Sequence, residues 1–261
     1  MTRGCKRIFF CFIAVLFICQ NGFAQVNIEA LRKNIDAEWS GNVKADVSYN
    51  SGNTEFLKIK TGARIDYNKS CYNAFLIGNY QRGLQAKRVF LNKGFLHLRL
   101  TRKLNDQHGV EAFVQKAFND FIDLNNRELI GGGVRLGYFH SDTLGNHPAK
   151  FRLFLGVGLM YEHESLGMGA TANETNLLRS TNYLSLRWQI DSRLSVNSIS
   201  YYQVAPESTS DFRILSNSGL EFNISRIVAF RTSLNFRFDN EPPAGVEKHD
   251  LELTNGFAVK F

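Results

Sequence analysis

Cysteine is scarce where it could matter. Of the four cysteines, Cys5, Cys11 and Cys19 fall within the first two dozen residues, leaving Cys71 alone in the rest of the chain. One thiol forms no internal disulfide, and no Cys/His spacing resembles a zinc site, so a disulfide scaffold and a structural metal are both excluded as what holds this fold. Long apolar runs are also missing beyond residue 19, and mean hydropathy is slightly negative although 44% of residues are hydrophobic. A helical membrane protein needs runs of about 20 apolar residues. No basic run or aromatic-basic cluster accompanies the formal net charge of +7, three units of which come from Arg3, Lys6 and Arg7 near the start. Nucleic acid is therefore not an expected partner. The strand–helix alternation of a parallel sheet is absent as well.

What is present begins with a leader. Arg3, Lys6 and Arg7 precede an apolar core from Ile8 to Cys19, then Gln20-Asn21, with Gly22 and Ala24 placed as small residues before a cut. This order predicts a cleavable signal peptide over residues 1–24, since the apolar core is too short to cross a ~30 Å hydrocarbon layer. Residues 25–37 carry Ile28, Leu31 and Ile35 at near-helical spacing and predict a periplasmic lead-in.

From residue 38 to 261 the pattern has period two. In Trp39–Ser51 the odd positions are Trp39, Gly41, Val43, Ala45, Val47 and Tyr49, and the even ones are polar. Side chains alternate faces along a strand, so each such segment has one apolar and one polar face. The pattern recurs through Phe151-Leu153-Leu155-Val157-Leu159-Tyr161, Leu184-Leu186-Trp188-Ile190 and Val228-Phe230-Leu234-Phe236-Phe238. Two segments are ambiguous: Glu111–Phe121 is apolar on both parities, and Leu194–Val204 changes phase between Val196 and Ile199, predicting a bulge. Counting both gives roughly twelve strands, the even number that a single-chain bacterial outer-membrane barrel requires. The predicted fold is all-β: an antiparallel transmembrane β-barrel of about twelve strands.

The last segment carries the reading furthest. In His249–Phe261 the residues Leu251, Leu253, Phe257, Val259 and Phe261 share one parity to the final position. Soluble termini fray and are usually polar, whereas a membrane barrel must order its last strand to close the sheet. Phe257, Val259 and Phe261 resemble the assembly signal of outer-membrane barrels, which implies the barrel assembly machinery as a partner, besides outer-membrane lipid. Connections agree in part: Asn68–Ser70, Asp191–Ser192 and Ser225–Arg226 are short, while Glu164–Asn176, Ala205–Asp211 and Asp239–Lys248 read as longer loops. With a periplasmic N-terminus the long ones face outside, and Ser141–Ala149 is the misfit.

The polar parity collects Lys58, Lys60, Arg64, Arg99, Arg135, Arg152, Arg179, Arg187, Arg213, Arg231 and Arg237, together with Asp46, Asp66, Glu111, Glu162, Glu221 and Glu252. An arginine facing lipid at mid-bilayer costs about 2–4 kcal/mol, so several would exceed the ~5–15 kcal/mol stability of a domain. This parity therefore faces inward. Lys58, Lys60, Arg64, Arg99, Arg135, Arg152, Arg187, Arg213 and Arg237 are the candidate pore lining. Two readings stay open: a lumen filled by Arg–carboxylate networks, or a water-filled pore favouring small anions.

Catalytic signals are weak. A barrel phospholipase needs a Ser–His pair on the outer wall, and His140-Ser141, being adjacent, point to opposite faces. Gly131-Gly132-Gly133 lacks the Lys-Ser/Thr and helix of a phosphate loop. No enzyme, catalytic residue, cofactor or metal is expected, and a monomer is.

Trp39-x-Gly41, Ser51-Gly52-Asn53-Thr54, Glu111-x-Phe113-x-Gln115, Arg127-x-Leu129-x-Gly131-Gly132-Gly133-Val134-Arg135 and Gly156-x-Gly158-x-x-Tyr161-x-x-Glu164 occur in this order. In them the chain resembles the salt-induced outer-membrane protein family, a domain of unknown function, from about Trp39 to Phe261. The resemblance implies an outer-membrane barrel and carries over no activity or catalytic residue. The functions that follow are a narrow channel for small, anionic solutes, a structural or stress-response envelope protein with a packed lumen, and, third, an outer-membrane lipid hydrolase.

Overall fold

A computed structural model describes residues 37–52, 55–86, 88–144, 147–167, 173–242 and 245–259. The expected signal peptide, the lead-in up to residue 36, and Phe261 lie outside the described residues. The first six strands are β1 (Trp39–Asn50), β2 (Phe56–Lys69), β3 (Tyr72–Gln85), β4 (Arg88–Lys103), β5 (His108–Asn119) and β6 (Leu124–Leu144). The others are β7 (His147–Leu166), β8 (Asn173–Gln189), β9 (Leu194–Ala205), β10 (Ser208–Asn223), β11 (Val228–Asp239) and β12 (His249–Val259). Each pairs antiparallel with its sequence neighbours in one twelve-stranded sheet ordered β1 to β12. This is the all-β fold and strand number that the alternation predicts. The start of β1 and the end of β12 lie at one rim, called proximal; the other rim is distal.

The sheet rolls. Residues of β4 through β10 surround one small space, and residues of β6, β7, β11 and β12 surround another. Among the described residues β12 pairs with β11 and β1 with β2, and the seam between β1 and β12 is not paired.

The outer wall is the apolar parity. Val43, Val47, Ile65, Leu76, Leu96, Val114, Ile130, Val134, Leu155, Val157, Leu184, Leu253 and Phe257 are all exposed. Toward the proximal rim the outward side chains include Trp39, Tyr72, Tyr138 and Trp188, and toward the distal rim Tyr49, Tyr161 and Tyr202. An apolar band between aromatic girdles is what a hydrocarbon layer selects. No helix among the described residues is long and apolar enough to cross a membrane. Leu155→Arg, mid-wall on β7, is expected to destabilise the barrel in lipid vesicles by about 2–4 kcal/mol. The urea midpoint measures it, and no change would mean this position does not face lipid.

Several sequence expectations need correction. Leu194 to Val204 pairs without interruption with β10 across the expected bulge, so the phase change is not a backbone irregularity. Ile199 and Tyr201 instead face inward, packed with Tyr183 and Leu215. In Glu111–Phe121, Ala112 and Val114 face out while Phe113 lies inside under the Arg99 guanidinium, 5.2 Å from it. Most of the long segment Ser141–Ala149 is strand: β6 and β7 continue pairing out to Leu144 and His147. Ala205–Asp211 shrinks to the two residues Pro206 and Glu207, because β10 starts at Ser208. Glu164, Asp211 and Asp239, read as loop ends, are strand residues.

Candidate functional site: the barrel lumen

Rolling the sheet brings the polar parity of many strands into one interior. Its distal half is built by β6, β7, β8, β10 and β11. Glu162 and Glu164 lie two apart on β7 and so project to the same inner face. Around Glu162 converge Arg179 from β8 (Nε to Oε1, 2.8 Å), Arg213 from β10 (Nη1 to Oε1, 3.0 Å) and Arg127 from β6 (Nε to Oε2, 3.6 Å). Arg127 also donates to Glu164 through Nη2 at 2.5 Å, and Arg213 reaches the same carboxylate at 3.4 Å. Arg179 holds Asp211 through two bonds, Nη1 to Oδ1 at 2.8 Å and Nη2 to Oδ2 at 2.7 Å. Arg213 extends the chain to Asp239, Nε to Oδ2 at 2.9 Å.

Arg179 is 1% exposed and Glu162 2%. Charges this buried persist only when paired and hydrogen-bonded on several sides, and this network supplies that. It ties together strands that are not neighbours in the sheet, β7 with β10.

Below the network the lumen narrows further. His97 lies between the rings of Phe75 and Phe113, with centroids 5.9 and 5.8 Å away, and bonds Gln115 at 3.1 Å. Tyr183 reaches across from β8, donating to Glu111 at 3.1 Å and accepting from Arg135 at 2.8 Å. Its ring occupies the space over Gly156, where any Cβ would overlap it. Cavities of about 40 and 20 Å3 are what this layer retains, room for roughly one or two waters each. Gly156→Val is expected to expel the Tyr183 ring at a cost of about 1–3 kcal/mol, the usual range for overpacking. Thermal unfolding measures it; an unchanged Tm would place the ring elsewhere.

The proximal half is open. A cavity of about 780 Å3 is lined by Lys150, Arg152, Arg187, Asn197, Asn217 and Arg231, among others, and a recess of about 560 Å3 shares Lys150 and Arg152 with it. Arg152 and Arg187 stand directly opposite each other on β7 and β8. Like charges in cross-strand register repel, which raises the local potential of this vestibule. Arg231 is balanced by Glu221 at 2.8 Å. A wide basic vestibule thus ends against a packed, charge-neutralised plug.

The family model described as "Protein of unknown function, DUF481" matches residues 43–261. The chain belongs to the DUF481 family. Among solved structures, the NanC porin matches at 8% identity, covering 86% of this chain and 100% of that one, with a TM-score of 0.42. OmpT, an outer membrane protein of Vibrio cholerae, matches at 10% identity over 85% of this chain and 94% of that one, with a TM-score of 0.22. No curated protein matches.

In this DUF481 chain the nine candidate lining residues divide by environment. Arg213 belongs to the plug. Arg64 is closed off by Asp66 (Nε to Oδ2, 2.6 Å) and lies over the Phe75 ring. Arg99 bonds Glu111 at 3.2 Å, and Arg135 lies 3.7 Å from the Phe154 ring centroid. Lys58 is buried, Lys60 exposed, and Arg237 stands opposite Asp250. Arg152 and Arg187 line the vestibule. Four plug residues are missing from the inward positions read off the sequence: Arg127, Glu164, Asp211 and Asp239. The signal that finds them is parity, since Glu162 and Glu164 share β7's inner face and two adjacent inward carboxylates demand several cations. Of the assembly-signal positions, Phe257 and Val259 are exposed on the outer wall, 71% and 63%.

Proposed function

We propose that this chain is a bacterial outer-membrane β-barrel, exported through a cleaved leader and without enzymatic activity, whose lumen is plugged rather than freely conducting. The proximal vestibule faces the periplasm, and β1 and β12 pair to close the ring. Closure follows from the solvent: unpaired backbone N–H and C=O groups along two edges in hydrocarbon cost several kcal/mol each. The observation that carries the plugged lumen is Glu162 bound by three arginines from three other strands. Such a protein serves the envelope as a structural or stress-response component. Liposome swelling tests it: vesicles containing the protein should swell in small sugars no faster than empty ones, and porin-like swelling would overturn it.

One observation favours a second reading, a narrow channel for small anions. Lys150, Arg152 and Arg187 give the vestibule a positive wall that would concentrate anions at the plug. On that reading swelling appears with small anionic solutes and is lost in Arg152→Gln/Arg187→Gln, while neutral sugars stay excluded.

A further inference from the structure

The outer wall is not uniform. Across β1 to β7 the outward mid-wall positions are apolar or glycine almost throughout, as in Val43-Ala45-Val47, Leu96-Leu98-Leu100 and Leu153-Leu155-Val157. Across β8 to β12 they are not. The outward series on β9 runs Val204, Tyr202, Ser200, Ser198, Val196, Leu194, and on β10 Phe212, Ile214, Ser216, Ser218, Leu220, Phe222. In both strands two serines occupy the middle, with apolar residues and rings on either side. Ser180 and Asn182 continue the band on β8, Thr232 on β11 and Asn255 on β12. Register joins them: Ser200 stands opposite Ser216, Ser198 opposite Ser218, and Thr232 opposite Asn255.

A band at this height is out of reach of water and headgroups, so its occupant lies within the hydrocarbon. In-sheet pairing satisfies it only in part. Ser198 and Ser218 hydroxyls are 2.8 Å apart and those of Ser200 and Ser216 2.9 Å, with Asn182 bonded to Ser180 at 2.9 Å. Each serine pair uses one hydroxyl hydrogen and keeps the other to donate outward. Acyl chains accept no hydrogen bond. A surface of hydroxyls and carboxamides, each both donor and acceptor and none charged, complements itself under two-fold symmetry, as an isologous interface requires. Small side chains also permit the close backbone approach that packing inside a membrane depends on. The area suffices: five strands are roughly 24 Å wide and the apolar band about 25 Å tall, or roughly 600 Å2 per copy, against about 1,000 Å2 in total for a specific interface.

We propose that the β8–β12 wall is a self-association face, at which two copies of this chain pack within the membrane through the Ser198/Ser200/Ser216/Ser218 band. This replaces the monomer expected from sequence, and it rests on the membrane reading of the barrel. The test uses the protein from Gln25 onward, without the leader cysteines and with Cys71→Ala, reconstituted in phospholipid vesicles, its folding verified by heat-modifiable mobility. Ser216→Cys should form a disulfide-linked dimer on mild oxidation, while Leu76→Cys, mid-wall on β3, should not. Labelled protein should bleach in two steps, and the quadruple change of Ser198, Ser200, Ser216 and Ser218 to alanine should shift association to a protein-to-lipid ratio about tenfold higher. One-step bleaching of the unmodified wall, equal cross-linking at both cysteines, or association untouched by the quadruple change each overturns the proposal. Failure to insert at all would instead count against the barrel reading.

Discussion

Glu162→Ala should destabilise the folded barrel by about 3–5 kcal/mol, the cost of breaking a buried ion pair from one side. Three guanidiniums, from Arg127, Arg179 and Arg213, would lose their common acceptor. Removing the carboxylate empties the middle of the network, so the change should lower the urea midpoint in vesicles and raise permeability together. Asp239 provides the contrast. It bonds Arg213 at 2.9 Å, but its side chain is 25% exposed, so solvent screens what Asp239→Ala removes. That change should cost on the order of 1 kcal/mol or less. Equal midpoints for Glu162→Ala and the unchanged protein would mean the network is not what holds the roll.

The second large effect concerns the other end of the chain. Deleting Phe261 should reduce the yield of heat-modifiable barrel in the outer membrane severalfold, without changing synthesis or export. The apolar parity Leu251, Leu253, Phe257, Val259 runs along β12 up to that residue, and Phe257 packs its ring 5.4 Å from Phe230 of β11. Beyond recognition there is a backbone reason. The β11–β12 ladder runs from Val228 opposite Val259 to Phe238 opposite His249, and the other edge of β12 is the one that must meet β1. Outward-facing cysteines on β1 and β12, scanned in pairs around Ala45 and Leu253, should cross-link at one register in the membrane-inserted protein. Cross-linking at no register would leave the seam open and contradict closure. A normal yield of barrel without Phe261 would remove that residue from assembly.

The strands were legible because a membrane barrel writes its lipid face in the clearest alphabet available, apolar against polar at period two. Where that writing blurred, the inner face was the cause. Phe113, Ile199, Tyr201 and Leu215 are apolar residues turned inward to fill the bore, so Glu111–Phe121 and Leu194–Val204 looked double-faced or out of phase. The basic side of the lumen was legible too, but its pairing was not. Glu164, Asp211 and Asp239 stand next to Gly-, Ser- and Pro-containing stretches and read as loop, because sequence does not show how far a ladder extends past the membrane. Arg127 appeared only within the Arg-x-Leu-x-Gly motif. Which carboxylate meets which guanidinium depends on the roll of the sheet. Arg213 on β10 and Glu162 on β7 are 51 residues apart and on strands that do not pair.

The claim that the plug closes the lumen is tested most directly by conductance in planar bilayers. Folded, heat-modifiable protein should give no sustained steps at moderate voltage, and the combined Glu162→Ser/Arg213→Ser variant should give discrete ones, because it empties the centre of the plug. Steady, discrete conductance from the unaltered protein would contradict the account.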